Sequence, residues 1–236
     1  MIEAVIFDLD DTLYDYKNCN TKSEEKLFSY AGNKLGIEPE KFKEAYSVGR
    51  RVTKELLLDS AALHSRLLYC QHALEHLGIN PVKNAIELAD YFWECFLNEM
   101  QPFPGVNCLL EELKKNSLKI GICTDMTTEI QYKKILKLGL GDYIDCIVSS
   151  EEVGNEKPNG RMFTLCSNKL NSKFQAMLMI GDNFEKDIRG SLALGMAALW
   201  FNPSISEIQK VEERLIVTPT YLNLSKNEEV VGLFHK

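Results

Sequence analysis

Between about residue 104 and residue 202, short apolar runs and stretches of helical spacing take turns, and few architectures accept that order. "GVNCLLEELKKNS" has the spacing of a helix, "LKIGICTD" of a strand, "TTEIQYKKILKLGLG" of a helix ended by glycine, and "YIDCIVSS" of a strand. "PNGRMFTLCSNKL", "AMLMIGDN", "FEKDIRGSLALG" and "MAALWFN" repeat the alternation as helix, strand, helix and strand. Strands that alternate with helices of 10 to 15 residues build βαβ units around a parallel sheet. The first apolar run, Val5, Ile6 and Phe7, is apolar on both faces and belongs to the same sheet.

Residues 17–100 carry almost no strand signal. Leu27, Tyr30, Ala31 and Leu35 fit one helical face closed by Gly36, and Leu63, Leu67, Leu74 and Leu77 fit another closed by Gly78. A further helix is expected from near Pro81 through "AIELADYFWECFL", with proline tolerated in the first turn. This block is therefore expected as a helical insertion (17–100) between the first strand and the rest of an α/β core formed by 1–16 and 101–236.

The charge balance, 27 basic against 34 acidic residues and a net charge of −7, argues against a broad basic surface for nucleic acid. No basic segment followed by a long apolar run opens the chain, and no run of about 18 apolar residues occurs, so neither a secretory signal nor a membrane span is expected. Seven cysteines (19, 70, 95, 108, 123, 146 and 166), an odd number without a CxxC pair, read as reduced, buried small hydrophobes of a cytoplasmic protein.

The segment "AVIFDLDDTLYD" then poses a problem, because a buried strand runs into Asp8, Asp10 and Asp11. Clustered carboxylates without a partner are costly in an apolar setting, so a cation is implied. Two more strands end in polar groups: Cys123 leads to Thr124 and Asp125, and Ile180 leads to Gly181 and Asp182. "EEVGNEKPNG" after another strand offers Lys157. In open parallel sheets the ligand crevice lies beyond the carboxyl ends of the strands, so these residues converge on one edge. With period two, Asp8 and Asp10 are expected to point together, with Asp182 beside them and Asp187 supporting from the next helix. Short-stemmed oxygen ligands suit Mg²⁺.

Carboxylate attack on a phosphate monoester brings like charges together, at roughly 4 kcal/mol per unit pair at about 4 Å and an effective dielectric of about 20. A divalent cation and Lys157 offset that repulsion, the Thr124 hydroxyl can hold a phosphoryl oxygen, and a second carboxylate can move the leaving group's proton. Asp125, next to Thr124, is counted with the phosphate-binding residues.

In order and context, "DLDDT", Thr124 in "ICTD", Lys157 in "EKP" and "GDNFEKD" resemble the four motifs of the haloacid dehalogenase-like hydrolases. The likeness is to the branch of phosphatases with a helical cap inserted after the first motif. It implies an α/β fold, a Rossmann-like doubly wound parallel sheet with an inserted α-helical cap. It also implies Asp8 as nucleophile and Mg²⁺ ligand, and Asp10 as general acid and base that lends its backbone carbonyl to the metal. Thr124 and Lys157 would bind the phosphoryl group, Asp182 would bind Mg²⁺, and Asp187 would stand in or near the outer ring of residues around the metal. One departure concerns substrate: close phosphatases of the family usually carry Asn-Gly where this chain has Asp125-Met126.

Other candidates have blander readings. Asp11 and Asp15 are expected in the turn and hinge. Arg50, Arg51 and Arg66 are expected on a solvated helix face, although a guanidinium there could grip a substrate's anionic end. His64, His72 and His76 lack a third ligand pattern, and Tyr91, Phe92, Trp93 and Phe96 are expected as packing. Gly154 and Gly160 punctuate a loop, and no Walker-type phosphate loop occurs.

The expected protein is an Mg²⁺-dependent phosphoric monoester hydrolase acting on a small phosphorylated metabolite, a nucleoside monophosphate or sugar phosphate, through an aspartyl-phosphate. It is expected as a monomer or homodimer. A phosphosugar mutase or a non-catalytic ligand-binding member of the fold remain alternatives. A dehalogenase would need neither Asp10 nor a metal site.

Overall fold

The computed structural model describes residues 1–58 and 60–235. The chain falls into two compact units, Met1–Asp15 with Gln101–Lys236, and Tyr16–Met100.

Strand β1 (Ala4–Phe7) is four apolar residues, all fully buried. Four helices follow: α1 (Tyr16–Leu35), α2 (Pro39–Leu56), α3 (Arg66–His76) and α4 (Ala85–Glu99). The chain then alternates through α5 (Val106–Lys115), β2 (Lys119–Thr124), α6 (Thr128–Lys137), β3 (Cys146–Ser149), the short α7 (Ser150–Val153), α8 (Gly160–Leu170) and β4 (Met177–Gly181). A π-helical turn (Phe184–Arg189) leads into α9 (Gly190–Leu192), then β5 (Ala197–Phe201), β6 (Gln209–Glu212), β7 (Leu215–Thr218) and α10 (Glu228–His235).

The strands form one sheet in the order β3-β2-β1-β4-β5-β7-β6, parallel except for β6. Val5 at its centre pairs with Ile120 of β2 and Leu178 of β4. The chain fills one side of β1 with β2 and β3 and the other with β4 and β5, so the order reverses between β1 and β4. A crevice opens at such a reversal, at the carboxyl ends of the strands. Beneath it, Ala4, Ile6, Cys123, Val148, Phe163, Cys166 and Met179 pack as a core. This is the parallel α/β sheet expected from the alternation, and its strands run out on both sides of β1 in the doubly wound manner that the family resemblance implies.

Two features depart from the sequence pattern. β7 is fully buried while β6 is fully exposed, and no strand was expected beyond "MAALWFN", because "LIVT" is too short and too isolated for periodicity to mark. "FEKDIRGSLALG" is not one regular helix. The Ile188 N–H reaches back five residues to the Asn183 carbonyl at 3.4 Å, giving the wider π turn.

In the helical unit, Leu27, Phe42, Tyr46, Cys70, Ala73, Leu74, Leu88 and Phe92 form the buried interior. Gly49 lets α2 approach α3, since a Cβ there would overlap the Tyr69 carbonyl. Leu67, expected on the buried face of α3, is 40% exposed because that face centres on Tyr69, Cys70 and Ala73. Arg50 and Arg51 are exposed as expected, but Arg66 is not solvated: it is 3% exposed. Its guanidinium lies 4.9–5.4 Å from the ring centres of Phe92, Trp93 and Tyr69 and donates to the His64 carbonyl, the Tyr16 hydroxyl and Asn20 Oδ1. Neutral acceptors take its two terminal nitrogens and aromatic faces cover the plane, while its buried Nε is left without a partner, an arrangement open to the planar, weakly hydrated guanidinium. Of the cysteines, all free thiols, Cys19, Cys70, Cys123 and Cys166 are buried as expected, whereas Cys95 and Cys146 are half-buried and Cys108 is exposed. No described helix is long and apolar enough to cross a membrane.

Candidate active site

Asp8 follows the last residue of β1, and its N–H continues the ladder by donating to the Ile180 carbonyl at 2.9 Å. That bond holds the start of the acidic loop at the sheet reversal. Lys157 Nζ donates to Asp8 Oδ1 at 2.5 Å, and the Thr12 hydroxyl donates to Oδ2 at 3.0 Å. Burial pushes the Asp8 carboxyl well above the usual carboxylate range; Lys157 pulls it back, while Asp187, Asp182 and Asp10 push further up. Lys157 itself is 3% exposed. Burial works against its charge, but Asp187 and Asp8 outweigh that and hold it protonated.

Thr12, fully buried, is a tie of this loop to which sequence reasoning gave no role. Its oxygen accepts from the Asp182 N–H at 3.0 Å, so one hydroxyl ties the loop after β1 to the loop after β4. Its carbonyl accepts from the buried Tyr221 hydroxyl at 3.0 Å, which anchors the loop from the C-terminal segment.

Asp187 sits on the π turn, 1% exposed, with Oδ1 at 2.7 Å from Lys157 Nζ and Oδ2 accepting from the Asn183 N–H at 3.0 Å. Gly181 makes room for it, since a Cβ at that position would collide with the Asp187 carboxylate. Carboxylate oxygens of Asp8, Asp182 and Asp187 all lie within 4.8 Å of one another. Three hard oxygen donors against one lysine form a set that suits a small divalent cation such as Mg²⁺. Asp187 stands among the three rather than behind them.

Asp10 does not join that group. The strand ends at Phe7 and Asp11 adopts φ 61°, so the two-residue alternation expected to align Asp8 and Asp10 does not persist. The Asp10 carboxylate instead meets Lys134 Nζ at 2.7 and 2.9 Å, the Tyr14 hydroxyl, and Gln131 Nε2 at 3.4 Å. Gln131 Nε2 also donates to Thr124 Oγ1 and, at 2.9 Å, to the Asp125 carbonyl.

Asp125, grouped on sequence with the phosphate-binding residues, has both carboxylate oxygens engaged elsewhere. Oδ1 accepts from the Lys157 N–H at 3.0 Å and Oδ2 from Lys186 Nζ at 2.8 Å. Lys186 also binds Glu156 at 2.8 Å. Burial disfavours the Lys186 charge, but Asp125 and Glu156 raise its pKa above the usual value. Met126 takes φ 85°, a conformation that glycine adopts freely and other residues seldom do. Met126 thus holds a glycine-like backbone while carrying a buried side chain.

Lys134 and Gln131 were missed because helix readings look for apolar stripes. On α6 the buried positions are Ile130, Gln131, Lys134 and Ile135, while Tyr132 and Leu136 are 51% and 70% exposed. Polar residues on the inward stripe, with apolar ones outside, were the available signal.

Residues 2–195 match the model of the haloacid dehalogenase-like hydrolase family. The chain is 42% identical over 207 residues to a ribulose-1,5-bisphosphate 5-phosphatase of Halopiger xanaduensis, covering 86% of each chain. It is 28% identical over 236 residues to a glyceraldehyde 3-phosphate phosphatase of Methanothermobacter thermautotrophicus, covering 98% of this chain and 100% of that one. Among solved structures, a 2-haloacid dehalogenase from Pseudomonas syringae superposes with a TM-score of 0.73 at 27% identity, over 98% of this chain and 99% of the other.

Proposed function

The chain belongs to the haloacid dehalogenase-like hydrolases, and we propose that it is a Mg²⁺-dependent phosphatase of small sugar phosphates working through an aspartyl-phosphate. The observation that carries this reading is Lys157 seated between Asp8 and Asp187 in a group of three carboxylates. A dehalogenase would leave that acidic group, and the anchored Asp10, without a task.

Asp8, Asp182 and the Asp10 backbone carbonyl would hold Mg²⁺, with Asp187 close by. When bound, the ion supplies charge neutralisation at the phosphoryl oxygens. The residues of the chain do the rest. Lys157 keeps Asp8 ionised enough to attack and shields it from the incoming phosphoryl charge. Thr124 Oγ1 and neighbouring N–H groups orient the phosphoryl oxygens; at Asp125 that task falls to the main chain, since its carboxylate is committed to Lys186 and the Lys157 N–H. An Asp8 oxygen forms a bond to phosphorus as the ester P–O bond breaks, and Asp10 gives its proton to the leaving oxygen. Asp10 then takes a proton from water, which attacks phosphorus and releases phosphate with Asp8 restored.

The helical unit is the candidate for selecting substrate, and a sugar phosphate is favoured because the two relatives described above are named for phosphatases of one. The test is phosphate release by the purified protein, with and without Mg²⁺, from sugar phosphates, nucleoside monophosphates and an aryl phosphate. Mg²⁺-dependent release that Asp8→Asn abolishes is expected. Equal release by Asp8→Asn would overturn the nucleophile assignment, and phosphoryl transfer to added sugar would point to a mutase.

A further inference from the structure

A lysine with no exposed side-chain surface is uncommon, because the charge must be matched by partners that replace water. Lys134 is such a residue, and both Asp10 oxygens are turned to it. The Tyr14 hydroxyl shares Asp10 Oδ1, and Gln131 reaches Oδ2 while holding Thr124 Oγ1. Gln131 is itself fully buried, and its Oε1 has no partner. The α6 stripe thus spends two buried polar residues on one carboxylate and one hydroxyl.

We propose that Lys134 is the positioning residue for Asp10, fixing the orientation from which its carboxyl serves the leaving oxygen, and that Gln131 links this orientation to Thr124. The inference rests on the phosphatase reading and adds to it a residue that touches neither phosphate nor metal. Restricting the Asp10 side chain to one rotamer before substrate arrives raises the fraction of encounters in which it stands within reach of the leaving oxygen. Gln131 couples that restriction to the hydroxyl that receives the phosphoryl group, so the acid and the phosphate cradle are set by one helix face.

A group that acts through the general acid matters only where the leaving oxygen needs a proton. A nitrophenolate departs without one, whereas a sugar alkoxide does not. The experiment is therefore single-turnover release of the leaving group, with enzyme in excess, from p-nitrophenyl phosphate and from an alkyl or sugar phosphate. It compares wild type, Lys134→Met and Lys134→Arg. Lys134→Met is expected to slow alcohol release about 10- to 100-fold, within the range of a displaced general acid, and nitrophenol release less than about threefold. Lys134→Arg, which keeps a cation at Asp10, is expected to recover part of the alcohol rate. Equal slowing with both esters, or no slowing with either, would overturn the proposal. Should the Met variant not fold, Lys134→Gln carries the same comparison. Absence of release by the wild type from both esters removes the phosphatase reading itself, and this inference with it.

Discussion

Removing Lys157 tests the electrostatic logic of the site apart from its chemistry. Its ammonium stands 2.5 Å from Asp8 and 2.7 Å from Asp187. At an effective dielectric of about 20, each contact is worth about 6 kcal/mol before desolvation is counted. Truncation of one partner in such a buried set costs about 3–5 kcal/mol. A ceiling also applies, because a carboxyl can escape by taking up a proton at about 1.4 kcal/mol per pH unit above its ordinary pKa. For a group with ordinary value 3.8 that burial has already raised, that ceiling lies below about 4 kcal/mol at pH 7 and below about 1.6 kcal/mol at pH 5. The sign follows: Asp8 is already pushed up by burial, and losing Lys157 pushes it further. A raised acid favours the folded state in acid and loses that contribution as pH rises. Lys157→Met is therefore expected to lose about 3–4 kcal/mol at pH 7, a drop of roughly 10 °C in Tm for a chain of this size, and less than half of that at pH 5. Thermal and urea unfolding in EDTA measure it. Saturating Mg²⁺ is expected to narrow the gap, because another cation then faces the same carboxylates. A variant as stable as wild type in EDTA at pH 7 would show that Lys157 does not compensate these acids.

Two further outcomes follow from other charges. Asp145 lies at the foot of β3, where burial, which alone would raise its pKa, is outweighed by Lys114 at 2.7 Å and the Ile120 N–H at 2.7 Å, so the pKa is lowered. Its stabilisation is present above the ordinary carboxylate range and lost as pH falls through the lowered value. Asp145→Asn is expected to cost about 1 kcal/mol in urea unfolding at pH 7, discounted for partial exposure, and progressively less as pH falls below the ordinary carboxylate range; a loss independent of pH would refute the assignment. Lys186→Met leaves Asp125 and Glu156 without their shared cation beside the proposed phosphate site. KM for the phosphate ester is expected to rise about tenfold, equivalent to about 1.4 kcal/mol, with Asp125→Asn in the same chain restoring it; an unchanged KM would refute the link.

The legible part of this molecule was the part written in short-range pattern. Val5, Ile6 and Phe7 announced a central strand, and the polar residues ending β1, β2 and β4 announced the crevice. Asp8, Asp182 and Lys157 were readable because each sits at such a strand end or in the loop after one. The orientation of Asp10 was not readable: it depends on the turn at Asp11 and on Lys134, which lies far along the chain. Lys134 and Gln131 escaped because burial of a polar residue depends on its partner, and the partner comes from another element. Arg66 escaped for the same reason, its aromatic surroundings being supplied by α3 and α4 together. Asp125 looked like a phosphate neighbour until Lys186 and the Lys157 N–H were found on it. Tyr221 lies in a tail without periodicity and makes its contribution through one hydrogen bond to Thr12.

The Phe103 N–H donates to the Leu13 carbonyl at 2.8 Å, and Tyr14 bridges antiparallel to Pro102. Residues 16–100 are thus strung between two backbones already laced together, a neck that closes whatever hangs from it. Loop closure becomes dearer only logarithmically with length, by about 0.6 kcal/mol per doubling. Changes of length between residues 16 and 100 are then expected to weigh little on the closure next to β1, and unfolding of variants shortened or lengthened in that segment would measure it.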